Sequence, residues 1–170
     1  MEDRKRLIIL RHGQAVNAGF NEHDHSRELT SRGIKEATEM GELLASGDFI
    51  PDKVICSTAQ RTRMTFDNIE KALSEPLNVD YLPQIYNASE HEIFNQIVTI
   101  TDDIKTLMLI GHNPALYQIS LTLAKDGDKT MHDNLHTGFP TCSLAIIEFN
   151  GKWQDIMLSR SKILLFSTPK

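Results

Sequence analysis

Cysteine is scarce in this chain: Cys56 and Cys142 are the two in 170 residues. They lie far apart in apolar contexts, which reads as two reduced, buried thiols and excludes a disulfide framework. Neither sits in a spacing suited to zinc. An excess of positive charge is also missing. Eighteen Lys and Arg against 23 Asp and Glu leave a formal net charge of −5, which excludes a general nucleic-acid binder. Any phosphate site must then be a local basic pocket in an acidic protein. Long apolar runs are absent too. No stretch approaches the ~18 apolar residues that a spanning helix needs, so no membrane association is expected. The apolar run behind the mixed-charge start Met1-Glu2-Asp3-Arg4-Lys5-Arg6 is too short for a signal-peptide core, and the cytoplasm is the default compartment. No repeat, low-complexity tract or linker interrupts the chain, so one domain over 1–170 is expected.

What is present is an alternation of strand and helix signals. Leu7-Ile8-Ile9-Leu10 reads as a strand buried on both faces, and it runs straight into Arg11-His12-Gly13. Residues 14–29 read as a polar loop, in which His23-Asp24-His25 is expected to be solvated. Thr30 is a candidate N-cap for a helix over Ser31–Ala45, with Gly47 as its stop. A second strand, Lys53–Cys56, leads into Ser57-Thr58 as the cap of a helix over Ala59–Leu73. Val79–Leu82 is a short strand ended by Pro83, and Ser89 is expected to cap a helix over Glu90–Thr101. Thr106–Gly111 repeats the opening motif, an apolar run ending in Gly. Pro114 suits the first turn of a helix over Ala115–Ala124. Residues 125–140 read as loop. Asn150-Gly151 between Leu144–Phe149 and Trp153–Leu158 signals a hairpin. Ile163–Phe166 is expected to pack on the body. Strands alternating with helices imply an α/β three-layer sandwich, a mainly parallel sheet with helices on both faces.

Two of these strands end alike, in Arg11-His12 and in His112-Asn113. In a parallel sheet both ends point to one edge, where ligands of open α/β sheets bind. The second helix also starts at that edge, and Arg61 lies in its first turn; helix starts attract anions. Arg11, His12, Arg61 and His112 therefore converge on one pocket suited to phosphate. Arginine offers a planar fork for the oxygens, and histidine a nitrogen that works near neutral pH. Gly13 is expected to permit a sharp turn and leave room for a ligand.

These residues resemble the histidine phosphatase (phosphoglycerate mutase-like) superfamily. Leu10-Arg11-His12-Gly13 is similar to its signature. Ser57–Thr65 is similar to its Ser-x-x-x-Arg-Ala-x-x-Thr segment, with Thr62 in place of Ala. Arg27–Gly33 is similar to its Leu-Thr-x-x-Gly segment, and Gly111-His112-Asn113 to the segment with its second histidine. Small size and Gly111-His112-Asn113-Pro114 resemble most the SixA-type protein-phosphohistidine phosphatases. The resemblance implies a phosphoglycerate mutase-like fold and a phosphatase in which His12 accepts the phosphoryl group, with a backbone carbonyl fixing its tautomer. Arg11, Arg61 and His112 would hold the phosphoryl oxygens, with Gly13, Asn113 and Arg27 bordering the substrate; Thr137-Gly138 would border it too. The implied chemistry uses no metal and no cofactor, and His132 and His136, at a metal-like spacing, lack the Glu of a zincin.

Many members place an acid after the third strand, which makes Glu90, or Glu92, the candidate proton donor. A phosphohistidine substrate relaxes that need, because imidazole, with a reference pKa of about 6.5, leaves readily. The expected partner is thus a phosphohistidine-bearing protein or a small phosphorylated substrate, and a monomer is the expected state. The alternatives are a phosphatase of a small phosphate monoester and a non-catalytic phosphate-binding module.

Overall fold

In the computed structural model, which describes residues 3–170, the Leu7–Leu10 run lies at the middle of a sheet with every side chain fully buried. Strand β1 spans Arg4–Arg11, β2 Lys53–Ser57, β3 Val79–Leu82, β4 Thr106–Gly111, β5 Asp126–Gly127, β6 Leu144–Asn150 and β7 Ser161–Ser167. Among the described residues they form one sheet in the order β3-β2-β4-β1-β6-β7-β5. Strands β3, β2, β4 and β1 run parallel, and β6 joins β1 antiparallel. Strand β7 is antiparallel to β6 and parallel to β5. The mainly parallel α/β sheet expected from the sequence is present.

Helices cover both faces. Helices α1 (Ser31–Ser46) and α2 (Gln60–Leu73) lie on one side, α3 (Glu90–Ile97), α4 (Ala115–Leu123) and α5 (Lys129–His136) on the other. Alternation along β1 assigns its side chains. Ile8 and Leu10 join the core under α1 and α2, whereas Leu7 and Ile9 join the core under α3 and α4. Burying a large aliphatic side chain contributes roughly 1.5–3 kcal/mol, so this run anchors both cores at once.

Thr30 caps α1 by accepting from the Gly33 amide, and Ser89 caps α3 in a full capping box with Glu92. Other boundaries differ from expectation. Helix α3 stops at Ile97 and not at Thr101; the Thr99 hydroxyl donates to the Gln96 carbonyl and competes with the helix. Helix α2 has no side-chain cap, because Ser57 belongs to β2 and its hydroxyl is used elsewhere. Pro114 is the N-cap of α4 and not its first helical residue.

The largest corrections fall in the last third of the chain. Residues 125–140 are not loop. Asp126–Gly127 adds an edge strand, and Asp128 accepts from the Thr130 and Met131 amides to start α5. The partner of β6 is not Trp153–Leu158 but Ser161–Ser167, which includes the Ile163–Phe166 run. Trp153 is fully buried in a single 3₁₀ turn, where its indole N–H donates to the Ile104 carbonyl at 2.9 Å. Burial of that ring with its polar atom satisfied outweighs the hairpin that Asn150-Gly151 signals.

Candidate active site

The carboxyl ends of β1 and β4 lie side by side, since Arg11 pairs with Gly111. The next residues on each strand are His12 and His112, and their ring centroids are 5.3 Å apart. Three backbone bonds fix His12. Its N–H donates to the Gly111 carbonyl at 3.2 Å, its carbonyl accepts from Cys142 at 2.9 Å, and the preceding Arg11 N–H donates to Ser143 at 3.1 Å.

The two imidazoles are held differently. His12 Nδ1 lies 2.7 Å from the Gly13 carbonyl oxygen. A carbonyl only accepts, so Nδ1 carries the proton and Nε2 holds a lone pair. The carbonyl that the sequence reading called for is therefore that of the neighbouring glycine. His112 has both nitrogens engaged. Its Nε2–H donates to Ser57 Oγ at 2.7 Å, and its Nδ1 accepts from Arg61 at 3.4 Å. Burial, with Arg61 and Arg11 adding to it, pushes the His12 pKa down to about 4 against the opposing Gly13 hydrogen bond. Burial followed by the charge repulsion of His12 and Arg61 pushes His112 down to about 3. Both rings are neutral at pH 7.

Arg61 is buried in the first turn of α2. Its guanidinium donates to the Asp24 carbonyl at 2.8 Å and to the Asp24 carboxylate at 3.0 Å. Arg11 donates to the Phe139 carbonyl at 3.0 Å, and Asn113 Nδ2 donates to the same oxygen at 2.8 Å. The contact to Arg11 is made by Phe139, next to the expected Thr137-Gly138, while the Thr137 hydroxyl donates to the Asn134 carbonyl. Arg27 donates to Asp24 at 2.9 Å and to the Val16 carbonyl at 2.7 Å, which puts it at the rim.

Gly13 needs its missing side chain for a reason other than a turn. A Cβ at Gly13 would stand 2.7 Å from the Gly33 carbonyl oxygen, and a Cβ at Gly33 would stand 2.1 Å from the Gln14 carbonyl oxygen. The two glycines let the start of α1 press against the loop behind His12, so the space goes to backbone and not to a ligand. Thr62, the departure from the Ala of the motif, is buried and bonds the Ser57 and Ala59 carbonyls at 2.8 and 2.7 Å. Its hydroxyl ties the first turn of α2 to the end of β2.

Glu90 is not brought to this cluster. Its carboxylate accepts from Thr122 Oγ1 at 2.7 Å, near the far end of α4, roughly 10 Å along the helix axis from Ala115. Glu92 is spent on the capping box. The segment after β3 contributes Tyr86 instead, whose ring lies edge-on to His112 with centroids 5.6 Å apart and whose hydroxyl donates to Asp24 at 2.7 Å. Asp24 was expected to be solvated. The Tyr86 hydrogen bond, then those of Arg27 and Arg61, holds its carboxyl well below the usual carboxylate range. His25 turns to Thr58, with 2.9 Å between its Nε2 and the hydroxyl. His132 and His136 lie on α5, where His136 Nδ1–H donates to the His132 carbonyl. Cys56 and Cys142 are free, buried thiols whose pKa burial pushes up to about 12. No helix among the described residues is long and apolar enough to cross a membrane.

Residues 7–85 match the model of the histidine phosphatase superfamily, branch 1. The uncharacterized protein ML1117 of Mycobacterium leprae (strain TN) is 30% identical over 155 residues, 89% of this chain and 94% of its own length. A solved structure proposed to be the phosphohistidine phosphatase SixA of Agrobacterium tumefaciens superposes with a TM-score of 0.82 at 28% identity, covering 97% of this chain and 98% of that one. Another proposed SixA, from Nakamurella multipartitia, gives a TM-score of 0.83 at 27% identity, covering 98% and 96%. With two strand-end histidines and two arginines gathered on a phosphoglycerate mutase-like sheet, the chain belongs to the histidine phosphatase superfamily. Within it, the chain is SixA-like.

Proposed function

We propose that the protein is a protein-phosphohistidine phosphatase that works through a covalent phospho-His12 intermediate. The observation that carries this reading is the bare Nε2 of a neutral, immobilised His12 facing a second imidazole and an arginine. Nε2 attacks phosphorus, the bond from phosphorus to the leaving nitrogen breaks, and the phosphoryl group passes to His12 while the substrate ring, protonated on its other nitrogen, departs as neutral imidazole. Water then attacks phosphorus, the bond to Nε2 breaks, His12 returns to its neutral Nδ1–H form, and the protons of the water leave on inorganic phosphate. Arg11, Arg61 and His112 hold the three oxygens and stabilise the charge that builds on them. A bound phosphoryl dianion opposes the field of the arginines and draws a proton onto His112.

The choice of substrate rests on the carboxylates. Glu90 is tied to Thr122, Glu92 to the capping box, and Asp24 is kept ionised by three donors. Glu90 and Glu92 are turned to those partners, and Asp24, kept ionised, has no proton to give an alkoxide at neutral pH. A phosphohistidine ring needs such help far less, because with a reference pKa of about 6.5 its other nitrogen takes a proton from water near neutral pH and the ring leaves as neutral imidazole. Turnover of a phosphohistidine peptide is expected to exceed that of an alkyl phosphate, and equal rates would instead favour a small phosphate monoester as substrate. Radiolabelled phosphoryl transfer trapped on wild type and absent from His12→Ala is the direct test. A protein that binds phosphate without turning it over would be a binding module.

A further inference from the structure

One carboxylate outside the expected set joins three segments at the mouth of the site. Asp24 lies in the polar stretch between β1 and α1. Its backbone carbonyl and one carboxylate oxygen accept from the two terminal nitrogens of Arg61 at 2.8 and 3.0 Å. The same carboxylate oxygen accepts from Tyr86 Oη at 2.7 Å, and the other accepts from Arg27 at 2.9 Å. A guanidinium on a helix can turn about several side-chain bonds, and two acceptors on one residue remove that freedom. Arg61 held this way keeps one nitrogen 3.4 Å from His112 Nδ1, and two of its five N–H groups have no protein partner among the described residues. In the resting site the Arg61 contact makes His112 an acceptor at Nδ1 while its Nε2–H donates to Ser57 Oγ at 2.7 Å, so before phosphate binds the clamp also favours one tautomer of the second imidazole.

We propose that Asp24 is a positioning residue of the reaction: it orients Arg61, and through Arg61 His112, for the phosphoryl group, with Tyr86 and Arg27 holding its carboxylate in place. This rests on the phosphatase reading above. A competing role is told apart by the direction of the effect. Were Asp24 simply occupying Arg61 until substrate displaced it, its removal would strengthen anion binding. As a positioning residue its removal weakens binding, because a free guanidinium must be ordered each time.

The test uses the full chain, orthovanadate as the phosphoryl probe and p-nitrophenyl phosphate as the reporter substrate. Asp24→Ala is expected to raise the vanadate inhibition constant and to lower kcat/KM by on the order of ten- to a hundredfold, since small misplacements of an orienting group cost that much. Asp24→Asn keeps the backbone acceptor and one side-chain acceptor, and is expected to recover most of the loss. Tyr86→Phe removes one hydroxyl and is expected to cost a few-fold. In an Arg61→Lys background, where a single ammonium replaces the fork, Asp24→Ala is expected to cost at most about twofold more. Unchanged or tighter vanadate inhibition in Asp24→Ala overturns the proposal. So does a loss that multiplies in full on Arg61→Lys, or one that follows a drop in thermal stability and is not rescued by Asn. Failure of the phosphatase reading is separate: wild type would then carry no label on His12, whatever Asp24 does.

Discussion

The ends of β1 and β4 invite comparison. Each is an apolar run that closes on a histidine, the strands are hydrogen-bonded neighbours, and the two rings are 5.3 Å apart. Their surroundings differ in one respect. His12 spends one nitrogen on a backbone carbonyl and leaves the other bare; His112 has one nitrogen on Ser57 and one on Arg61. Like residues at like positions are thus prepared for unlike work, one to attack and one to hold. The partner atoms decide this, not the histidines.

The harshest way to break the comparison is to exchange the roles. His12→Ala is expected to lower kcat by about ten-thousandfold or more and to abolish the covalent label; label appearing on His112 would show the rings to be interchangeable. His112→Ala is expected to cost about 10²–10³ in kcat, the scale of one lost charge-stabilising contact, while slow labelling of His12 persists. Loss of labelling there would mean that His112 shares in the attack.

Acid separates folded from unfolded protein through the same two rings. Each has its pKa lowered on folding, from 6.5 to about 4 for His12 and about 3 for His112. The unfolded chain therefore takes up the protons first. Stability present at pH 7 is lost as pH falls from about 6.5 to 4, by roughly 3 kcal/mol for His12 alone. Urea melts from pH 7 to pH 4.5 check this, and the pH slope is expected to flatten in the doubly substituted His12→Asn, His112→Asn protein. Gly33→Ala probes the close backbone contact behind His12. Its Cβ would stand 2.1 Å from the Gln14 carbonyl, and overpacking of that kind costs about 1–3 kcal/mol, read as a lower melting temperature. Ser57→Ala is the mildest for activity: it leaves His112 Nε2–H without its acceptor and is expected to lower kcat about tenfold and stability by about 1–3 kcal/mol.

Much of the parallel half was legible, because each of its signals is local. Leu7–Leu10 and Thr106–Gly111 announce buried strands by composition, Thr30 and Ser89 announce helix starts, and the histidines and arginines follow at short offsets. The antiparallel half was not. Residues 125–140 conceal a cap at Asp128 and the apolar pair Met131 and Leu135. The hairpin signal at Asn150-Gly151 is overridden by burial of Trp153. Glu90 sits at a helix start in the expected segment, yet its direction depends on Thr122, 32 residues further on. Tyr86 lies in that same segment and carried no acid signal to find it by.

The sequence by itself settles which side chains of phosphate chemistry are present and that buried strands end beside them, since periodicity, caps and motif spacing act over a few residues. Only the tertiary structure decides what those side chains are set to do. Gly13 fixes a tautomer, Ser57 occupies a nitrogen, Asp24 turns a guanidinium, and the Phe139 carbonyl receives Arg11 from 128 positions away. Most of those partners meet because the sheet draws distant strand ends to one edge, and pairing between remote positions leaves no mark on the local order of residues.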